Sequence, residues 1–273
     1  MKTELFIHPS FSNLREFIHQ IPGNFSSMGE EVYNGRNDVR FVNVNGVVLA
    51  IKYFKRITLA NRYIFATVRK SKARRAYDHA ELLIQKGITS PQSVAYINCY
   101  RYGMLYQSFY VSLHTNYRPF MEILQLPISY AEPALKAFAR FIYGVHKAGI
   151  FHKDLTIRNL LYLYNDHRYD FSLIDTNRMS FHTYSFKKGM NNLSRLALPV
   201  ETIGIIAAEY ARQAQVSEIM ALNAIVFSRW RTNINLIIKK VLKKPLHLFV
   251  PRYRKASYIV TKESTITTDK AFG

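Results

Sequence analysis

Apolar and polar side chains alternate through Val39-Arg40-Phe41-Val42-Asn43-Val44, and this period of two predicts a strand. Asn45-Gly46 follows, the pair best suited to a two-residue hairpin turn, and Val47 to Lys52 forms the return strand. The period changes at Ser71, which caps a predicted helix over residues 72–86. Ala73, Ala76, Ala80 and Leu83 form its apolar stripe and Gly87 ends it. Two further strands are expected, over Ser93 to Ile97 and Met104 to Leu113. A long helix follows from Tyr130 to Lys147, with Ala134, Leu135, Phe138, Phe141, Ile142 and Val145 on one face, and Gly149 stops it.

Beyond Gly149 the pattern becomes a hairpin. Leu160 to Tyr164 is one apolar run, Asn165-Asp166-His167-Arg168 a polar turn, and a second run ends in Asp175. Helices are then expected from Asn191 to Leu198 and around Val216, Ile219, Met220, Asn223, Val226, Phe227 and Trp230, these last residues facing a core. Residues before about 30 show only a short amphipathic piece, Asn13 to Ile18, and Lys55 to Lys70 reads as a basic, aromatic excursion entering a helix. Ile234 to Lys244 places apolar residues beside paired lysines until Pro245 interrupts it. It reads first as an amphipathic surface helix and second as a basic interfacial helix touching anionic lipid. The tail after Ser264 has little to bury.

Composition narrows the class. With 48% hydrophobic and 21% charged residues the chain is globular, and 273 residues allow a substantial core. A single cysteine, Cys99, excludes a disulfide framework and a cysteine-built metal site. The first residues carry no sustained apolar stretch of a secretory signal, and no run approaches the roughly 18 apolar residues of a spanning helix. An intracellular protein that does not span a membrane is expected. The net charge of +20 calls for an anionic partner, nucleic acid or anionic lipid. Its cations are clustered, since no acid occurs between Asp38 and Asp78, nor between Glu218 and Glu263. Two acid-free stretches this long point to an anionic surface such as a membrane; no recognised nucleic-acid motif accompanies them, so only charge favours nucleic acid, which is not expected.

The candidate chemistry lies in His152-Lys153-Asp154-Leu155 with Asn159 after it, closed by Ser172-Leu173-Ile174-Asp175. This is the order H-x-D-L-x-x-x-N, then a hairpin delivering a second Asp, of a phosphotransfer loop of protein-kinase type. Phosphoryl transfer needs positioning and charge neutralisation more than covalent chemistry. Asp154 suits the base that orients an acceptor hydroxyl and takes its proton. Asn159 and Asp175 offer the few hard oxygens that Mg²⁺ prefers. His152 is expected to pack and hydrogen-bond beneath the loop. Lys52, ending Leu49-Ala50-Ile51-Lys52, suits the strand lysine that holds the α and β phosphates of ATP. Its carboxylate partner on the following helix is Glu81 or Asp78, or is absent. Gly29 to Asp38 occupies the place of a phosphate-covering loop without matching G-x-G-x-x-G. This motif order sets a lobe boundary, with an N-lobe over 1–113, a hinge near Leu113-His114-Thr115, and a C-lobe over 114–273.

Three segments make the chain resemble the lipopolysaccharide kinase family of Kdo/WaaP type. Leu49-Ala50-Ile51-Lys52-Tyr53-Phe54-Lys55 is similar to its Val-Val-Lys-x-Phe-Lys strand. Ser71-Lys72-Ala73-Arg74-Arg75-Ala76-Tyr77 through Gly87-Ile88-Thr89-Ser90-Pro91 is similar to its helix and following turn. Asp175-Thr176-Asn177-Arg178 is similar to the family's Asp-x-Asn-Arg string, found where kinases carry Phe-Gly after the Asp. The resemblance implies an α+β, bilobal protein-kinase-like fold, with an antiparallel sheet and a helix in the N-lobe and a mainly helical C-lobe. It also implies ATP with Mg²⁺ and phosphorylation of a Kdo or heptose hydroxyl in the lipopolysaccharide inner core. Lys52 would then bind ATP phosphates, Asp154 would be the base, and Asn159 and Asp175 would hold the metal, in a cytoplasmic enzyme peripheral to the inner membrane. Ala76 stands where some members carry an acid. A protein or small-molecule kinase on the same scaffold, or a catalytically silent binding module, are the alternative readings.

Overall fold

The computed structural model describes residues 2–247. Its larger unit runs to Trp230, and the described residues from Arg231 onward belong to a separate one.

The N-terminal part of the larger unit is a six-stranded antiparallel sheet of order β1-β5-β6-β4-β3-β2. The strands are β1 Lys2–Ile7, β2 Glu30–Asn34, β3 Asp38–Val44, β4 Val47–Tyr53, β5 Ser93–Arg101 and β6 Met104–Leu113. The Asn45-Gly46 hairpin forms as the sequence predicts. Val44 pairs with Val47, and both turn residues have positive φ, the geometry that matches strand twist. Helix α1, Arg15–Asn24, buries Ile18 and Ile21 with Leu49, Ile97 and Phe109 on one face. On the other face Phe54 and Tyr96 meet Ala73 and Tyr77 of α3, Lys72–Gln85. The basic excursion holds α2, Leu59–Thr67, capped by the Thr58 hydroxyl. Ser71 caps α3 by accepting from the Arg74 N–H at 3.0 Å, and Gly87 follows its end at φ 72°.

Neither β1 nor the full extent of α1 is legible from the first thirty residues. Glu4 explains the position of β1. Its carboxylate accepts from Tyr100 at 2.7 Å, Asn98 at 3.0 Å, Arg74 at 3.1 Å and Tyr96 at 3.2 Å.

After the sheet, β7 Arg118–Pro119 pairs with β9 Leu160–Asn165, and β9 with β10 Arg168–Leu173. β8 Ile150–His152 pairs with β11 Met179–Phe181. These strands lie on α4, Ile128–Lys147, whose Ala134, Leu135, Phe138, Ile142 and Val145 are fully buried as the periodicity predicts. Three expectations fail further on. The helix expected over 191–198 lies earlier, as α5 Phe186–Leu193 capped by Ser185, with Ala197 turning at positive φ. The chain then forms α6, Val200–Ala214, which the sequence reading did not separate. Helix α7, Glu218–His247, is present, but its face is reversed. Ala221, Ile225 and Ser228 are buried, whereas Ile219, Val226, Phe227 and Trp230 are exposed. Ala221 and Ile225 join the core cluster, and the large apolar residues beside this face do not. Pro245 lies within the last turn of α7 rather than interrupting it, a position where the missing N–H removes a single helical hydrogen bond. The tail after Ser264 lies outside the described residues. Among the described residues no helix is long and apolar enough to cross a membrane.

Candidate active site

A cleft of about 1280 Å³ opens between the sheet and the helical part, and Lys52, Asp154, Asn159 and Asp175 all line it. Residues 113–115 and the β2–β3 turn, with Tyr33, Arg36 and Asn37, line it too. The segment read as a phosphate cover therefore borders the cleft. Its Gly29 has a packing role, because a Cβ there would lie 2.0 Å from the Phe41 carbonyl oxygen.

The loop carrying Asp154 is fixed from below. His152 is fully buried. Its Nδ1 accepts from the Asp154 N–H at 3.1 Å and its Nε2 donates to the Ile174 carbonyl at 3.0 Å. Burial pushes the imidazole pKa below its ordinary value, so the ring stays neutral in this bonding pattern. This is the supporting place the sequence suggested. Deeper still, His146 bonds Tyr210 and Asn192, both at 3.0 Å, and Asn192 donates to the His152 carbonyl at 2.9 Å. Burial holds His146 at a pKa of about 4, so it too is neutral.

Asn159 donates to the Asp154 carbonyl at 2.8 Å, which fixes its amide orientation. The Ile174 N–H donates to the Asn159 carbonyl at 3.1 Å, and this ties the metal-binding candidates together through backbone. Asp175 sits in the left-handed region at φ 57°, ψ 46°, which costs a non-glycine residue about 1 kcal/mol. Its Oδ1 accepts from Lys52 at 2.5 Å and from Asn177. No described donor engages Asp175 Oδ2 or Asn159 Oδ1. Two hard oxygens thus remain for a cation such as Mg²⁺, which takes few protein ligands and completes its shell with phosphate and water. The donor set fits.

The open question of the Lys52 partner resolves to Asp175. Asp78 pairs with Lys70 at 2.7 Å, and among the described residues Lys52 forms its ion pair with Asp175 and with neither helix acid.

Several neighbours escaped the sequence reading. Arg178 Nη1 lies 3.2 Å from Asp154 Oδ2, and Arg195 donates to the Lys153 carbonyl at 3.1 Å. Only the Asp-x-Asn-Arg string hinted at Arg178, and it did not reveal the partner. Lys72 shares the Phe54 ring with Lys52, at 5.9 and 5.4 Å from its centroid. Burial lowers the Lys72 pKa, and Arg36, Arg178 and Arg75 lower it further against the pull of Asp175. Cations therefore outnumber acids around this corner of the cleft.

The solved structure of WaaP in complex with acyl carrier protein is similar at a TM-score of 0.57 and 16% identity, covering 84% of this chain and 98% of that one. The Rio2 kinase-ADP/Mg²⁺-phosphoaspartate complex from Chaetomium thermophilum gives a TM-score of 0.45 at 15% identity, covering 80% of this chain and 67% of that chain. No curated protein matches the chain in sequence at a significant level. The family model for the lipopolysaccharide kinase (Kdo/WaaP) family matches residues 33–216, which include Lys52, the catalytic-type loop and the Asp-Thr-Asn-Arg string. With the protein-kinase-like α+β fold in place around that cleft, the chain belongs to the lipopolysaccharide kinase (Kdo/WaaP) family and is a phosphotransferase acting on a sugar hydroxyl.

Proposed function

We propose that this chain transfers the γ-phosphate of ATP to a Kdo or heptose hydroxyl of the lipopolysaccharide inner core, working at the cytoplasmic surface of the inner membrane. The observation that carries this reading is the meeting of Lys52, Asp154, Asn159 and Asp175 in one cleft, from positions spread over more than a hundred residues. Lys52 binds the α and β phosphates, exchanging its resting partner Asp175 for them. Asp154 accepts a hydrogen bond from the acceptor hydroxyl and aims its oxygen at the γ-phosphorus. As the new O–P bond forms and the bond to the β-bridging oxygen breaks, the hydroxyl proton passes to Asp154 and ADP leaves. Mg²⁺, held by Asp175 and Asn159, would neutralise charge on the phosphates. The excess of cations around Lys72 and Arg178 supports an anionic ligand there. The sheet part over 1–113 and the helical part from 114 serve as the two lobes.

Membrane attachment is supported by the charge of +20 and by its two long acid-free stretches. Each well-placed cation contributes about 1 kcal/mol of attraction to an anionic surface.

The test is incubation with ATP, Mg²⁺ and extracted core glycolipid, followed by mass spectrometry, for the wild type beside Asp175→Ala. One phosphate added to the core sugars by the wild type and none by the variant is expected. A wild type that neither binds ATP nor modifies the glycolipid would overturn the reading. ATP binding without transfer would assign the acceptor to a protein or a soluble small molecule.

A further inference from the structure

Helix α3 presents no carboxylate to Lys52, yet it must be registered against the segment that carries Asp175. In kinases a lysine–glutamate pair does this. Here Ala76 is buried on the helix face, Asp78 pairs with Lys70, and the Lys52 ion pair goes to Asp175 rather than to Glu81. The contact that exists is made by the residue after Asp175. Thr176 is 3% exposed. Its Oγ1 donates to the Ala76 carbonyl at 2.8 Å, and its own carbonyl accepts from His79 Nδ1 at 2.7 Å. Since a carbonyl only accepts, His79 Nδ1 carries the proton.

We propose that Thr176 and His79 form a latch of two hydrogen bonds that registers Asp175 on α3, in place of a lysine–carboxylate pair. The proposal rests on the reading of Asp175 as a metal-binding residue and deepens it.

The latch grips Thr176 through both its side chain and its main chain, immediately after the left-handed Asp175. A backbone held in a sparsely populated conformation persists when its surroundings over-determine it, and these two bonds do so. His79 extends the grip, because its ring packs edge-to-face on Phe181 at 5.3 Å. Phe181 pairs with Ile150 at the start of β8, the strand leading into the Asp154 loop. The Lys153 N–H also donates to the Arg178 carbonyl at 2.8 Å. One helix thereby positions both carboxylates. Thr176 and His79 touch no reacting atom and are positioning residues.

A consequence separates this device from an ion-pair switch. The latch does not involve Lys52, so the lysine can leave Asp175 for a nucleotide without releasing α3. Helix and lysine are uncoupled.

Three variants test this: Thr176→Val, which keeps the branched shape and loses the donor; Thr176→Ser, which restores the hydroxyl; and Lys52→Ala. Two readouts are needed, calorimetric titration with Mg²⁺ and a non-hydrolysable ATP analogue, and hydrogen exchange over residues 73–80 and 174–181. Thr176→Val is expected to weaken Mg²⁺-nucleotide binding by about 10- to 100-fold, as loss of a group orienting a metal ligand does. It should also speed exchange in both segments. Thr176→Ser should recover most of both, and Lys52→Ala should leave exchange in α3 at the wild-type rate. If Thr176→Val does not fold, His79→Phe, which keeps a ring against Phe181, must show the same two effects. Wild-type binding and exchange in the valine variant would overturn the latch, as would loosening of α3 by Lys52→Ala. Failure of the wild type itself to bind Mg²⁺ and nucleotide would instead remove the kinase reading beneath it.

Discussion

At the scale of single residues, the cleft is organised by one short ion pair and one strained backbone. Lys52 and Asp175 lie 123 positions apart and meet at 2.5 Å. Replacing Lys52 by alanine removes a preorganised cation from the phosphates, and transfer is expected to fall roughly a hundredfold or more. Steady-state kinetics with varied ATP checks this, the loss appearing without change in the acceptor KM. Asp154, Asn159, Asp175 and Lys52 were legible because each stands in a local string whose spacing reflects one loop or one strand end. Arg178 and Thr176 were not. Their partners are Asp154, 24 positions back, and the Ala76 carbonyl, 100 positions back, and no local spacing encodes such pairings. The sequence left the partner of Lys52 open between Glu81, Asp78 and none, and the bond that Thr176 makes to α3 goes to a backbone carbonyl, to which sequence is silent.

At the scale of elements, legibility followed how local the deciding interaction is. The Asn45-Gly46 turn, the Ser71 cap and the buried stripe of α4 are fixed within a few residues, and all formed where expected. Strand β1 depends on β5, nearly a hundred positions away, and its register is set by donors converging on Glu4. Helix α7 misled because Ile219, Val226, Phe227 and Trp230 were taken for its core face, while the face that packs carries Ala221, Ile225 and Ser228. The β1 tether carries its own prediction. Burial alone raises the Glu4 pKa, but the hydrogen bonds from Tyr100 and Asn98, the Arg74 charge and the Tyr96 bond outweigh it and hold it below 4.5. Glu4→Ala leaves those donors without their acceptor and is expected to cost about 1–3 kcal/mol of stability. Urea unfolding should show the lowered midpoint, with activity per folded molecule retained.

At the scale of the molecule, titration and charge set the working conditions. His146 and His152 are neutral in the fold with pKa values lowered from 6.5, so the unfolded chain binds more protons than the native one below that pH. Stability should therefore fall as pH drops from 6.5 toward about 4, the folded value of His146. Glu4 adds a further loss below 4.5, where its stabilising ionised form is protonated. Melting temperature followed across this range should rise with pH and level off above 6.5, and a flat profile would contradict the neutral core histidines. The charge of +20 predicts flotation with anionic vesicles at low salt and release as salt screens the attraction. Vesicles of zwitterionic lipid should capture much less.

The most direct measurement is a single-turnover transfer of labelled γ-phosphate from ATP to core glycolipid, for the wild type beside Asp154→Asn, with nucleotide affinity measured in parallel. Asp154 is predicted to act in transfer rather than in holding ATP. The variant should bind Mg²⁺ and nucleotide as the wild type does, while its transfer rate falls by roughly 10²- to 10⁴-fold. Transfer at the wild-type rate by Asp154→Asn would contradict the assignment of this cleft as the catalytic site.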